Sequence, residues 1–281
     1  MLKKRGWETA PSFNLELTIE CPYDDGRARD NVLASSGYPR VEWGKKSGTC
    51  VVAGRGPRLA DSLDKLVQLQ FQCDIYALND AAGYLSDHGV ESYMCACDAT
   101  DIPFKTGPLV KGALFASRVH PNQFALFDRD KIQMWDIDSD APDGIVGGGS
   151  IPTRAIILLL KMGYSKIEFF GCEGCFYDMA HVGGSVKEAY NSMLIIRCGE
   201  RIFTTVPYLL EQCKFMVKMF ELIPDHLVNR SGGLLAAMLE THGEYDCIAI
   251  AEDLKDYLEG KGVEGFEKYG TMEDVWRQQR T

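Results

Sequence analysis

From Cys50 onward, apolar runs of strand length alternate with segments of helical periodicity, and that alternation leaves this chain few architectures to choose from. The runs Cys50-Val51-Val52-Ala53, Cys73 to Leu78, Ser92 to Cys97, Ala113 to Ala116, Ile132 to Trp135 and Lys166 to Phe170 are nearly continuous in apolar residues. Strands of this kind are buried on both faces, as in a parallel sheet covered by helices. Leu59 to Gln70, Asn79 to Leu85 and Ser150 to Leu160 supply the helical spacing between them. The expected fold is therefore α/β, a mostly parallel sheet with helices on both faces and a helical C-terminal extension. Ligands of such sheets sit beyond the carboxyl ends of the strands, so Gly54, Asn79 and Asp98 are expected on one rim. The 281 residues divide into a lead-in over 1–46, an α/β domain over 47–250 and a charged helical tail over 251–281.

Charge narrows the partners. A formal net charge of -10 argues against nonspecific binding to nucleic acid or to an anionic membrane surface, both of which need a basic face. No apolar stretch is long enough to span a bilayer, and Met1-Leu2-Lys3-Lys4-Arg5-Gly6-Trp7 lacks the apolar core of a signal peptide, so a cytoplasmic location is expected. The ten cysteines are scattered, several of them inside apolar runs, and read as buried thiols rather than a disulfide framework. Cys172-Glu173-Gly174-Cys175 has zinc-knuckle spacing, but a closed site needs four ligands.

Three glycine turns precede helical segments. In the first, Gly54-Arg55-Gly56-Pro57-Arg58, glycine lets backbone approach a phosphate, the following helix offers unpaired N–H groups, and two arginines add charge. The second, Gly147-Gly148-Gly149-Ser150, runs into an almost wholly apolar helix with Ser150 as N-cap and Pro152 in its first turn, a further anion site. It is not a Walker loop, since no Gly-Lys-Ser/Thr is present. The third is Arg230-Ser231-Gly232-Gly233. Asp98, Asp136, Asp138 and Glu173 stand at predicted strand ends, where carboxylates hold Mg²⁺ against phosphates or simply cap turns. Asp136-Ile137-Asp138 also spells the Asp-x-Asp of metal-dependent glycosyltransferases. His181, in a glycine-flanked loop, is placed as an acid or base.

Taken in order, Val51-Val52-Ala53-Gly54-Arg55-Gly56-Pro57-Arg58-Leu59, Ala77-Leu78-Asn79-Asp80, Asp98, Gly148-Gly149-Ser150 and Leu160-Lys161-Met162-Gly163-Tyr164 through Phe170-Gly171-Cys172-Glu173 resemble two related groups. One is the archaeal 6-hydroxymethylpterin diphosphokinase family, which includes the bacterial motility accessory factors. The other is the bacterial sialyltransferases that use a CMP-sugar. His181 and Asn229-Arg230-Ser231-Gly232-Gly233 look like the diphosphokinase group's loop histidine and late Gly-Gly segment. Arg58 stands where that family usually has Ser, and Glu173 where it usually has Asp.

The resemblance implies that residues 47–250 are a Rossmann-like, nucleotide-binding transferase domain. ATP and Mg²⁺, or another divalent cation, would meet a small hydroxymethyl acceptor. Gly54, Arg55, Gly56, Pro57 and Arg58 would lie at phosphate, with Asn79, Gly149, Ser150, Ser231 and Gly232 at the nucleotide. Asp98 and Glu173 would hold the metal, and His181 with Asp98 would be catalytic. The alternatives are a glycosyltransferase using a CMP-sugar or other nucleotide-sugar, and a nucleotide-binding protein without catalysis. The acceptor is not legible, and the oligomeric state is open, a homo-oligomer included.

Overall fold

The structure is a computed structural model that describes residues 25–99, 101–137, 140–141, 144–176 and 193–251, together with two short antiparallel pairings before them, Leu2–Lys3 with Thr18–Ile19 and Trp7–Glu8 with Asn14–Leu15. Helix α1 (Asp25–Ser35) leads to the main sheet. In chain order its strands are β1 (Thr49–Ala53), β2 (Ile75–Leu78), β3 (Ser92–Ala96), β4 (Val110–Ala116), β5 (Ile132–Trp135) and β6 (Lys166–Phe170). Between them lie α2 (Leu63–Leu69), α3 (Ala81–Asp87) and α4 (Ile151–Met162). Beyond β6 come β7 (Met193–Cys198), β8 (Arg201–Thr205), α5 (Pro207–Leu222), β9 (Leu227–Asn229), α6 (Gly233–Glu240) and β10 (Asp246–Ala251).

Seven strands pair in parallel in the order β9-β6-β1-β2-β3-β4-β5. The chain starts at β1 and steps outward to β5. Helix α4, packed against β3 and β6, then returns it to the other side of β1. The order reverses between β1 and β6, which makes the crevice beyond their carboxyl ends the place where such sheets bind ligands. Every residue of β2 is buried, and so are Cys50 to Ala53 of β1, as expected of strands covered on both faces.

The opposite edge is closed by polar side chains that satisfy one another. The hydroxyls of Tyr76 and Tyr164 lie 2.8 Å apart, Tyr164 also donates to Asp74, and the Lys46 ammonium is 2.9 Å from the same carboxylate. Burial alone would raise the Asp74 pKa, but the hydrogen bonds from Tyr164 and Lys46 hold it below the ordinary value.

Two expectations change. The helix predicted to start directly after the Gly54 turn is a 3-10 turn, Leu59–Ser62, followed by the seven residues of α2, so no continuous helix points its N-terminus at that turn. A second sheet, β8-β7-β10, is antiparallel and adds to the single parallel sheet expected. Its signal is present in the chain: two apolar runs separated by Gly199-Glu200 are a hairpin pattern. The predicted helical tail from Glu252 onward, Asp138 and His181 lie outside the described residues.

Candidate functional site

The carboxyl ends of β1 and β6 meet so closely that only glycine fits. Gly54 N–H donates to Phe170 O and Gly56 N–H to Gly171 O, each at 2.8 Å. A Cβ on Gly54 would collide with Gly171 O, and one on Gly56 would stand 2.6 Å from the same oxygen and inside the Glu173 carboxylate. These two amides, expected at a phosphate, are committed to holding the strands together. The glycines serve that approach.

Glu173 fills the space over the turn and is 1% exposed. The backbone N–H groups of Arg58 and of Glu173 itself lie about its carboxylate, with the Arg58 guanidinium nearby, while Oε2 is buried without a hydrogen-bond partner. Burial pushes its pKa up to about 7, against the pull of those N–H groups and of Arg58. Arg58 in turn rests on Gly232, where a Cβ would lie 3.0 Å from its Nη1, and donates from Nε to Asp61 at 3.0 Å.

Ser231 is also part of the framework rather than an open contact. Its Oγ accepts the Cys172 N–H at 2.9 Å and donates to Phe169 O at 3.3 Å, tying the segment after β9 to the end of β6.

Along the rim, Asn79 closes β2 with a left-handed backbone, φ 49°, and its Oδ1 is buried without a partner. Beside it, Arg55 Nη1 lies 3.1 Å from Asp80 Oδ2, and Asp80 Oδ1 accepts the Lys105 N–H at 2.9 Å. Asp98 follows β3. Burial pushes the neighbouring Cys97 thiol up to about 12, and the Arg154 charge, from the first turn of α4, pulls the other way, so the start of α4 stands beside the end of β3. There Gly149 is open: a Cβ would meet nothing within 4 Å. The Ser150 hydroxyl makes no capping bond to the helix and lies 3.1 Å from Thr153 Oγ1.

The rim thus gathers Arg55, Asn79, Asp98, Ser150 and Glu173, but it does not place Asp98 and Glu173 on neighbouring strands. They follow β3 and β6, strands three places apart, or about 14 Å at ordinary strand spacing. Among the described residues no group of three or more His, Cys, Asp and Glu side chains lies close enough to hold a metal. Cys172 and Cys175 are buried thiols. Asp136 of the Asp-x-Asp motif pairs with Arg40.

One rim element has no counterpart in the sequence reading. Asp140 is nearly buried and takes bonds from Arg118 Nε and Nη2 at 2.8 to 3.1 Å and from Ser117 Oγ at 2.7 Å, closing the end of β4. Loop residues 22 positions apart carry no periodic signal that would pair them.

Comparison with known proteins agrees with this architecture. A family model described as 6-hydroxymethylpterin diphosphokinase MptE-like matches residues 33–179, more than half the chain. A solved structure, a MAf glycosyltransferase from Magnetospirillum magneticum AMB-1, superposes with a TM-score of 0.56 at 14% identity, over 74% of this chain and 36% of that one. At that identity the likeness is one of fold, and this chain spans little more than a third of the neighbour's length. No curated protein matches the sequence. Among the described residues no helix is long and apolar enough to cross a membrane.

Proposed function

The chain belongs to the 6-hydroxymethylpterin diphosphokinase MptE-like family, and from that premise we propose that it is a transferase whose rim crevice binds a nucleoside phosphate. The observation that carries this is Asn79. A side-chain oxygen buried without a partner at the carboxyl end of β2, one strand from the point where the order reverses, is an acceptor waiting for a donor on a bound molecule. Arg55, beside it, supplies positive charge. The phosphates go to the start of α4, where Gly149 and Ser150 leave backbone N–H groups approachable and the helix dipole favours an anion. In this reading ATP is the donor: an acceptor hydroxyl attacks its β-phosphorus, a diphosphoryl group is transferred and AMP leaves. Chemistry of this kind rests mainly on positioning and charge neutralisation.

Purified protein is expected to melt at a higher temperature with ATP than with CMP or UDP. It is also expected to release AMP from ATP when a 6-hydroxymethylpterin and Mg²⁺ are supplied. Absence of AMP under those conditions would remove the diphosphokinase assignment. The second reading, a glycosyltransferase using a nucleotide-sugar, is supported by the name of the structural neighbour. Selective stabilisation by CMP or a CMP-sugar would favour it over ATP-dependent transfer.

A further inference from the structure

We propose that the Gly54–Arg58 turn is an anion seat that the chain fills with its own Glu173 carboxylate, so that a ligand phosphate gains this seat only by displacing that side chain. The inference rests on the nucleotide-binding reading above and adds what selects among its ligands. Three features of the geometry support it.

The first is how the carboxylate is held. The backbone N–H groups of Arg58, in the turn, and of Glu173 itself lie about it next to the Arg58 guanidinium, the kind of donor set proteins offer a bound phosphate. The second is that the seat is shaped for this side chain by glycines. A Cβ at Gly56 would occupy the carboxylate's place, one at Gly233 would lie 2.6 Å from Glu173 Cβ, and Gly232 makes room for Arg58. The third is incompleteness. Asp140, a structural carboxylate on the same rim, has both oxygens bonded by Arg118 and one also by Ser117, whereas Glu173 leaves Oε2 with no partner. A carboxylate serving only the framework would be satisfied as Asp140 is. One with a vacant oxygen is held less firmly and can leave.

The test titrates the full chain with inorganic pyrophosphate by calorimetry. Glu173→Ala is expected to bind pyrophosphate at least 10-fold more tightly than wild type, and Glu173→Asp, one methylene shorter, to fall between them. Adding Arg58→Ala to either variant should abolish the gain. Equal affinities in wild type and both variants, a gain that survives Arg58→Ala, or no pyrophosphate binding by any of them would overturn the inference. If Glu173→Ala does not fold, as judged by circular dichroism, the Asp variant decides alone. Nucleotide binding by wild type, weakened about 10-fold by Arg55→Ala, tests the functional reading separately, because it does not require the Glu173 seat to be vacated.

Discussion

At Gly54 and Gly56 a side chain of any size would strike Gly171 or Glu173, whereas at Gly149 it would meet nothing within 4 Å. Both turns follow the same sequence pattern of glycines leading into helical periodicity, and both face the same rim. They differ in what closes them. The first is bonded to β6 through two amides and covered by a buried carboxylate; it is followed by a 3-10 turn. The second opens directly onto the 12 residues of α4, with an N-cap side chain that makes no capping bond. A glycine motif therefore marks a place where backbone must come close to something, and in the first turn that something is another strand.

The contrast can be broken most sharply at the glycines themselves. Gly56→Ala is expected to destabilise the protein by about 3 kcal/mol in urea unfolding, since the new methyl must displace backbone as well as Glu173. Gly149→Ala should stay within about 0.5 kcal/mol. Similar losses at the two positions would erase the distinction.

Proton linkage provides the next test. Glu173 has a folded pKa of about 7 against an ordinary 4.5, so the folded state binds the proton more tightly. Stability is then greatest below the ordinary value and is lost as pH rises through about 7. The expected loss between pH 5 and pH 8 is on the order of 2 kcal/mol, since each tenfold difference in proton affinity is worth about 1.4 kcal/mol. Glu173→Gln should flatten the profile, and an unchanged slope would mean that the carboxylate is not buried as described.

Ligand affinity tests the open side of the rim. Arg55→Ala is expected to weaken ATP about 10-fold, near 1.4 kcal/mol, in a melting-shift titration. Ser150→Ala should weaken it less, because backbone N–H groups do most of the holding there.

The smallest effect belongs to the opposite edge and serves as a control. Asp74 has a lowered folded pKa, so its contribution is present above the ordinary 3.8 and is lost as pH falls through the folded value. Asp74→Asn should therefore cost about 1 kcal/mol at neutral pH and reduce the loss of stability in acid. It should leave ATP affinity unchanged.

Much of the fold is legible because buried parallel strands leave continuous apolar runs, and six of them stand out between Cys50 and Phe170. The edge strand Leu227–Asn229 and the long helix from Pro207 are likewise readable by length and period. The hairpin of β7 and β8 is marked by Gly199-Glu200. The Asp140–Arg118 pair has no such mark, because it depends on two loops meeting. The same holds for Ser231: its sequence reads as a ligand-binding glycine turn, yet its hydroxyl links strand ends.

By itself the sequence determined that an α/β sheet would form and that Gly54, Asn79, Asp98, Ser150 and Glu173 would all reach one rim, since side-chain periodicity and strand order along the chain dictate both. Which of those groups a ligand can touch was decided only in three dimensions. Burial, bond satisfaction and the distance between strands depend on what packs opposite, and a residue's type and position in the chain do not contain that information.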